Sequence, residues 1–390
     1  MTRPALMFYC QHSLGLGHLS RSLALCEALS QRFQVTLVCG GKLPQSVVPP
    51  DDVRLIALPP LGATTDGRIV SRDGRRGLDR ARELRREILL STFRSTQPEA
   101  ILIEFFPFGK KRFTDELLPL LEAARGLGAS RPLIACSIRD ILVGRGSEQQ
   151  DHDDRASAIA NRYFDAVLVH SDPGFARLDE SFSPRTPLRT RVYYTGFVVS
   201  NGTSANGSRK RGRRMIVSAG GGIVGAPLLR TAIRARRLVE YDIEMKIITG
   251  PFLPDDTWRS MRAEVGGTRG ITLQRSVQSL TAELRTAAGS ISQCGYNTAL
   301  DILRTHVPAL VVPFSESGED EQTKRAERLQ AAGAVRVLDP KNLRPAVLAK
   351  EINALLDFRP RHVPVDMNGG PTSALILEGL HADRVVGSTR

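Results

Sequence analysis

Between Ser290 and Gln322 the chain reads SISQCGYNTALDILRTHVPALVVPFSESGEDEQ, and this stretch constrains the fold more than any other. A short apolar strand ends at Ser292, and Gly295 follows in a loop. A helical run from Tyr296 to Arg304 precedes a second apolar strand, Val307 to Phe314. That strand leads into the acidic loop Ser315 to Asp320, and a polar helix opens near Glu321 and Gln322. Two consecutive strand–loop–helix units with apolar strands predict a buried parallel sheet. Ligands of such sheets bind beyond the carboxyl ends of the strands. Gln293, Asn297, Thr298, Asp301, Glu321 and Gln322 are therefore expected to meet one ligand rich in hydroxyls.

At 390 residues, 41% of them hydrophobic, the chain exceeds one ordinary core, and two domains are expected. No apolar run approaches the roughly 20 residues of a membrane span, and the amino terminus, MTRPALMFYCQH, carries no cleavable signal. The expected location is cytoplasmic. The five cysteines, Cys10, Cys26, Cys39, Cys136 and Cys294, lack paired spacing, which predicts reduced thiols rather than a disulfide framework or a zinc site. A net charge of +13 favours anionic partners. Two clusters carry much of it, Arg68 to Arg86 and the run RKRGRR from Arg209 to Arg214. A solvated helix face and a basic linker account for them, and contact with an anionic membrane surface is the functional alternative.

In the amino-terminal half, residues 4 to 12 form a strand, and HSLGLGHLSRSLALCEAL turns into a helix. Gly15 and Gly17 permit close backbone approach. His18 is expected at the helix amino terminus, where donors point outward. Further strands are Gln34 to Cys39, Val53 to Leu58, Pro98 to Glu104, Pro132 to Ser137, Ala166 to His170 and Arg191 to Thr195. Pro59 to Gly77 reads as a loop able to cover an acceptor, followed by a charged helix from Leu78 to Phe93. Glu104, at a carboxyl strand end, faces the expected ligand side. Its simpler reading is a buried carboxylate bonded to backbone amides. Asp151–His152–Asp153 has the form of a metal-binding DxD but lies in a polar stretch, and it is read as solvated.

The run NGTSANGSRKRGRR, residues 201–214, predicts a linker between domain 1–200 and domain 215–364. After the strand Met215 to Ser218, Gly220, Gly222 and Gly225 satisfy GxGxxG before a helix. An NAD site would need an acid at the end of the next strand. That strand, Glu244 to Thr249, ends instead in Thr249–Gly250–Pro251. Gly221, Gly222 and Gly225 then suit a diphosphate without a second nucleotide.

SQCGYNTALD followed by VPFSESGEDEQTKRAERLQAAGA resembles the nucleotide-sugar half of GT-B glycosyltransferases, and within them the MurG-type branch of family 28 with its uncharacterised bacterial relatives. The HSLGLGH turn is similar to the family's GxGH turn. The resemblance implies an α/β fold of two facing Rossmann-like α/β/α domains with a cleft between them. It implies that Asp301 holds ribose hydroxyls and that Glu321 and Gln322 contact the donor sugar. It places Gly17 and the Gly221–Gly225 loop against the donor and the base-reading loop at Arg275 to Val277. It also implies a last helix, residues 365–382, crossing back to the first domain before a tail at 383–390. The implied activity is inverting, metal-independent transfer from a nucleoside-diphosphate sugar, a UDP-sugar, to a hydroxyl on a glycan, a lipid-linked carrier or a small molecule. No cofactor and no nucleic acid are implied. His18 or Glu104 is the expected catalytic base, Glu104 only if burial raises its pKa. The rival functions are a nucleotide-sugar epimerase of the same fold, an NAD-dependent oxidoreductase and a nucleic-acid-binding protein.

Overall fold

A strand covered on both faces is apolar at consecutive positions rather than alternate ones. This is the pattern of β1 (Ala5–Cys10), β2 (Gln34–Cys39), β6 (Ala100–Glu104), β7 (Leu133–Arg139) and β8 (Ala166–His170). With β3 (Val53–Ala57) and β9 (Arg191–Tyr194) they form a parallel sheet in the order β3-β2-β1-β6-β7-β8-β9. Alternate residues of β1 part the two helical layers. Met7 and Tyr9 share a core with α2 (Leu78–Thr96), α3 (Thr114–Arg125) and α4 (Gln149–Tyr163). Leu6, Phe8 and Cys10 share another with α1 (Gly17–Leu29) and α11 (Gly369–Ser388). The stretch expected as an acceptor loop contains a small antiparallel hairpin, β4 (Leu61–Ala63) with β5 (Ile69–Ser71).

The structure is a computed structural model and describes residues 3–12, 17–41, 43, 48–64, 68–200, 211–222, 224–315 and 320–388. The chain divides into two compact units, one of residues Met1–Leu14, His18–Ser200 and Val365–Arg390, the other of Gly15–Gly17 and Asn201–Pro364. The second unit repeats the plan with β10 (Arg214–Ser218), α5 (Ala226–Ala235), β11 (Glu244–Ile248), α6 (Asp255–Val265), β12 (Ile271–Gln274) and α7 (Leu280–Thr286). It continues through β13 (Gly289–Ser292), α8 (Tyr296–Thr305), β14 (Ala309–Val311), α9 (Glu321–Ala331), β15 (Arg336–Val337) and α10 (Pro345–Asp357). Its sheet is parallel in the order β12-β11-β10-β13-β14-β15. Met215, Val217, Ile247, Ile291 and Leu310 share a core with α5 and α10.

Both strand orders reverse direction once, between β1 and β6 in the first sheet and between β10 and β13 in the second. At such a reversal the flanking loops leave in opposite directions, and a crevice opens at the carboxyl ends of the strands.

Four expectations change. The terminal helix runs to Ser388 rather than giving way to a tail at 383. Beyond Leu380 it is tied to the first unit by His381 on Glu99 and by Arg384 on Asp165 and the Arg131 carbonyl. The last residues of the expected linker are also held: Arg213 bonds Asp242, and Arg214 begins β10. Residues 201–210 lie outside the described residues. Asp151–His152–Asp153 falls inside α4, where His152 and Asp153 are buried. The Asp153 carboxylate accepts from Gln149 and the Ser183 amide, while Asp151 stays exposed, so two of the three residues are structural rather than solvated.

The fourth change concerns Arg85, in the cluster read as a solvated face. It is fully buried, and its guanidinium is a hub. Nε and Nη2 donate to the Glu116 carboxylate at 2.7 and 2.6 Å, Nη1 to the carbonyls of Gly40 and Pro59, and Nη2 to Gln11 Oε1. Tyr9 donates to Glu116 as well. A buried charge is tolerated only when paired and hydrogen-bonded in this way. Glu116→Ala strands the guanidinium and should cost about 3–5 kcal/mol in chemical denaturation. Arg85→Ala should cost a similar amount, and the double variant much less than the sum of the two. Additive losses would contradict the network.

Candidate functional site

In the first unit, the reversal brings the chain after β1 beside the end of β6. His18 and Arg21 lie three residues apart on α1 and so share one face of the helix. Both reach the carboxylate that ends β6. His18 Nδ1 and Arg21 Nη2 each lie 2.5 Å from Glu104 Oε1. Glu104 is fully buried, Arg21 nearly so, and the His18 side chain keeps 21% exposure. Glu104 Oε2 has no hydrogen-bond partner among the described residues. The His18 ring packs edge-on against Phe105, and the Arg139 guanidinium lies over the Phe105 ring.

An ionised carboxylate only accepts hydrogen bonds, so His18 Nδ1 carries the shared proton and Nε2 presents a lone pair. Burial, followed by the charges of Lys110 and Arg139, pushes the His18 pKa down to about 3 against the pull of Glu104. Burial pushes Glu104 up, but His18, Arg21 and Lys110 outweigh it and hold the carboxyl at about 2. The raised carboxyl that would have made Glu104 a base is therefore not found. Two residues expected to be alternatives form one pair, a neutral imidazole oriented by a charged carboxylate. Such a pair can accept a proton at Nε2 and stabilise the imidazolium that results. Gly17, exposed, is the first residue of α1, and Gly15 of the same turn lies outside the described residues.

In the second unit, the reversal sets the loop after β10 beside the loop after β13, with Ser218 and Ser292 paired in register. Gly222 has φ +94, and a Cβ there would lie 2.4 Å from the Thr249 carbonyl oxygen. A Cβ on Gly225 would meet the Ala219 Cβ at 2.1 Å. Gly221 is half-buried, and its carbonyl accepts from the Phe252 amide. Gly221 and Gly222 let the β10 loop lie on the loop after β11, and Gly225 lets it fold back on Ala219. Gly225 then begins α5 and Gly295 begins α8, both without a side-chain cap. The first-turn amides of each helix, save the Pro227 nitrogen of α5, which carries no hydrogen, are left for water or an anion.

Gln293 follows β13 and is half-buried, as are Asn297 and Thr298 in the first turn of α8. Gln322 Oε1 accepts from the amides of Cys294 and Phe314, pinning the loops after β13 and β14 together and leaving its amide nitrogen to donate elsewhere. Arg325, almost fully buried, adds a bond to the Cys294 carbonyl. Glu321 is buried at the start of α9, and residues 316–319 of the acidic loop lie outside the described residues. Asp301 stands apart. Six residues beyond Gly295, it is about 9 Å along α8, and its Oδ1 accepts from Thr281 at 2.6 Å. Burial pushes its pKa up, against Thr281 and Arg304.

Sequence reasoning missed Arg21 as the second partner of Glu104; only the i, i+3 spacing from His18 could have flagged it. It also missed Gly295 as an open position. That residue has ordinary backbone geometry, and a Cβ there would meet nothing within 4 Å. Gly222→Ala should therefore cost about 2 kcal/mol or more, whereas Gly295→Ala should stay within about 0.5 kcal/mol of the parent. Urea titrations read both. A neutral Gly222→Ala, or equal losses, would contradict the loop geometry.

Comparison with known proteins bears on the same segments. The model of the glycosyltransferase family 28 C-terminal domain matches residues 217–369. A curated relative is the UDP-N-acetylglucosamine--N-acetylmuramyl-(pentapeptide) pyrophosphoryl-undecaprenol N-acetylglucosamine transferase of Methylococcus capsulatus. It is 38% identical over 72 residues, 18% of this chain and 20% of that protein, so the match spans about a fifth of the relative's length. Among solved structures, a UDP-glucosyltransferase from Polygonum tinctorium superposes with TM-score 0.62 at 15% identity, covering 98% of this chain and 99% of that one. MurG of Acinetobacter baumannii gives 0.56 at 14%, covering 97% and 99%. The spinosyn rhamnosyltransferase SpnG, complexed with thymidine diphosphate, gives 0.57 at 17%, covering 98% and 96%. The chain thus has the fold of the GT-B glycosyltransferases, and its residues 217–369 match the model of the glycosyltransferase family 28 C-terminal domain.

Proposed function

We propose that the protein transfers a glycosyl group from a nucleoside-diphosphate sugar, a UDP-sugar, to an acceptor hydroxyl with inversion. The observation that carries this reading is the different chemistry at the two strand-order reversals. The second sheet presents glycine-bound backbone and two uncapped helix amino termini, a surface for a diphosphate. The first presents a neutral histidine bonded to an ionised carboxylate, a base. The matched family domain, a solved neighbour named as a UDP-glucosyltransferase and another complexed with thymidine diphosphate support the same assignment.

In the proposed step His18 Nε2 takes the acceptor proton as the oxygen attacks the anomeric carbon. The bond from that carbon to the diphosphate oxygen breaks, and its electron pair leaves with the nucleoside diphosphate. Charge growing on the leaving group is stabilised by the amides at the starts of α5 and α8 without a bound metal. Asp301, with Oδ2 unengaged among the described residues, accepts from ribose hydroxyls. Glu321 and the Gln322 amide meet the sugar, and Gln293, Asn297 and Thr298 flank them. The rival epimerase would not release free nucleoside diphosphate on addition of an acceptor, which separates the two readings. Cytoplasmic residence, with contact to an anionic membrane face, belongs to the same proposal. Among the described residues no helix is long and apolar enough to cross a membrane.

Asp301→Ala should raise the donor Kd by about 10- to 100-fold, roughly 1.4 kcal/mol per factor of ten; unchanged affinity in the folded variant would remove Asp301 from the site. His18→Ala should lower kcat by about two to four orders of magnitude with donor binding intact. Because the folded protein holds His18 below its ordinary pKa of about 6.5, the base stays neutral on acidification, and kcat/KM should not begin to fall until below about pH 5. An acid limb at 6.5 that disappears in His18→Gln would contradict the depressed pKa.

A further inference from the structure

The second unit has a cavity of about 730 Å³ that the proposed chemistry does not use. Its walls come from residues immediately before β10 (Arg211, Gly212), before β13 (Ala288) and before β14 (His306, Pro308), together with the end of α10 and the segment after it (Leu356, Arg359, Pro360, His362). It therefore sits at the amino ends of the strands, at the opposite edge of the sheet from the β10 and β13 loops. The volume is in the range of sites for small organic ligands.

The lining has four basic side chains and no acid. His306 and His362 stack with ring centroids 5.1 Å apart and planes tilted by 31°. Arg211 donates Nη1 to the Ala287 carbonyl and Nη2 to those of Thr305 and His306, closing the carboxyl ends of α7 and α8. Arg359 donates Nη1 to the carbonyls of Leu356 and Phe358. Neutral carbonyls orient these guanidinia without cancelling their charge, and neither forms an ion pair among the described residues. Nε of Arg211, and Nε and Nη2 of Arg359, have no protein acceptor among those residues. Burial and then Arg359 push Arg211 below its usual pKa. Burial, His362 and Arg211 do the same to His306. His306 also holds a left-handed conformation, φ 49, at a helix end where glycine or asparagine is usual. Two guanidinium groups oriented by carbonyls, with a stacked pair of histidines beside them and no acid in the lining, give this open cavity a wall suited to an anion.

We propose that this cavity is a binding site for a phosphorylated small molecule, its phosphate oxygens bonded by Arg211, Arg359 and the two histidines and its apolar part against Leu356, Pro308 and Pro360. Guanidinium and phosphate make paired, charge-assisted bonds, and a phosphate between the histidines favours their protonated forms. The site is separate from the proposed donor site and stands whether or not that assignment holds.

Inorganic pyrophosphate is the probe, titrated into the full chain, and the readout is local to the cavity, so that filling of any other site does not register. The readout is the imidazole proton and carbon resonances of His306 and His362, assigned from His306→Gln and His362→Gln. Pyrophosphate should shift both resonances and raise both pKa values. Arg359→Ala and His362→Ala replace exposed side chains and should each weaken this binding by about 10-fold or more without changing the melting temperature of the protein alone. A parallel arm floats the protein with phosphatidylglycerol vesicles. Flotation lost in Arg359→Ala assigns the phosphate to a lipid headgroup; pyrophosphate binding without flotation assigns it to a soluble ligand. Resonances of His306 and His362 that move with neither pyrophosphate nor vesicles, or affinities unchanged in both variants, would overturn the proposal.

Discussion

Each sheet is governed by one strand that pairs in parallel with a neighbour on either side, β1 with β2 and β6, β10 with β11 and β13. Parallel pairing requires a crossover after every strand, and right-handed crossovers cover opposite faces of the sheet on the two sides of the central strand. The reversal that results is a place where two loops diverge, and in the second sheet the helices that follow, α5 and α8, begin without a side-chain cap. His18 and Glu104 stand at one reversal, and the Gly221–Gly225 and Gln293–Asn297 segments at the other. These groups are positioned by strand order before any single side chain is considered.

That positioning carries an electrostatic burden which the surrounding residues answer in different ways. Glu104 is buried and remains ionised because His18 and Arg21 share one of its oxygens. Arg85 is buried in the same unit and is matched by Glu116, Gln11 and two carbonyls. The cavity lined by Arg211, His306, Arg359 and His362 differs in that carbonyls orient its charge but nothing in the described chain neutralises it. Asp301 is intermediate, with one oxygen held by Thr281 and its carboxyl driven up by burial. A group kept in a costly state without full compensation is a reasonable place to look for a ligand.

The sequence made the strands legible because both faces are buried. QVTLVC and AVLVH are apolar through nearly every position, and the observed bounds of β2 and β8 coincide with those runs. The positions of His18, Glu104 and the glycine loop at carboxyl strand ends were legible for the same reason. The pairing of His18 with Glu104 was not. The two are 86 residues apart, and their contact depends on β6 lying next to β1, a matter of strand order that no local pattern encodes. The same holds for Arg85, whose partner Glu116 is 31 residues away and which in sequence reads as one more exposed arginine in a basic helix. Asp153 reads as solvated in sequence because the Ser183 amide that donates to it lies 30 residues away in a loop. Gly222 fitted a phosphate motif by spacing, while the structure adds a packing reason for it, the close approach of Thr249.

The most direct test of the central claim, that the second sheet's reversal is the nucleotide site, is amide hydrogen exchange with and without UDP. The account predicts slowed exchange in the segments after β10 and after β13, residues 219–228 and 293–299, with the amino ends of the strands near Arg211 and His306 unchanged. Protection confined to the first unit, or to the amino ends of the second sheet, would contradict it.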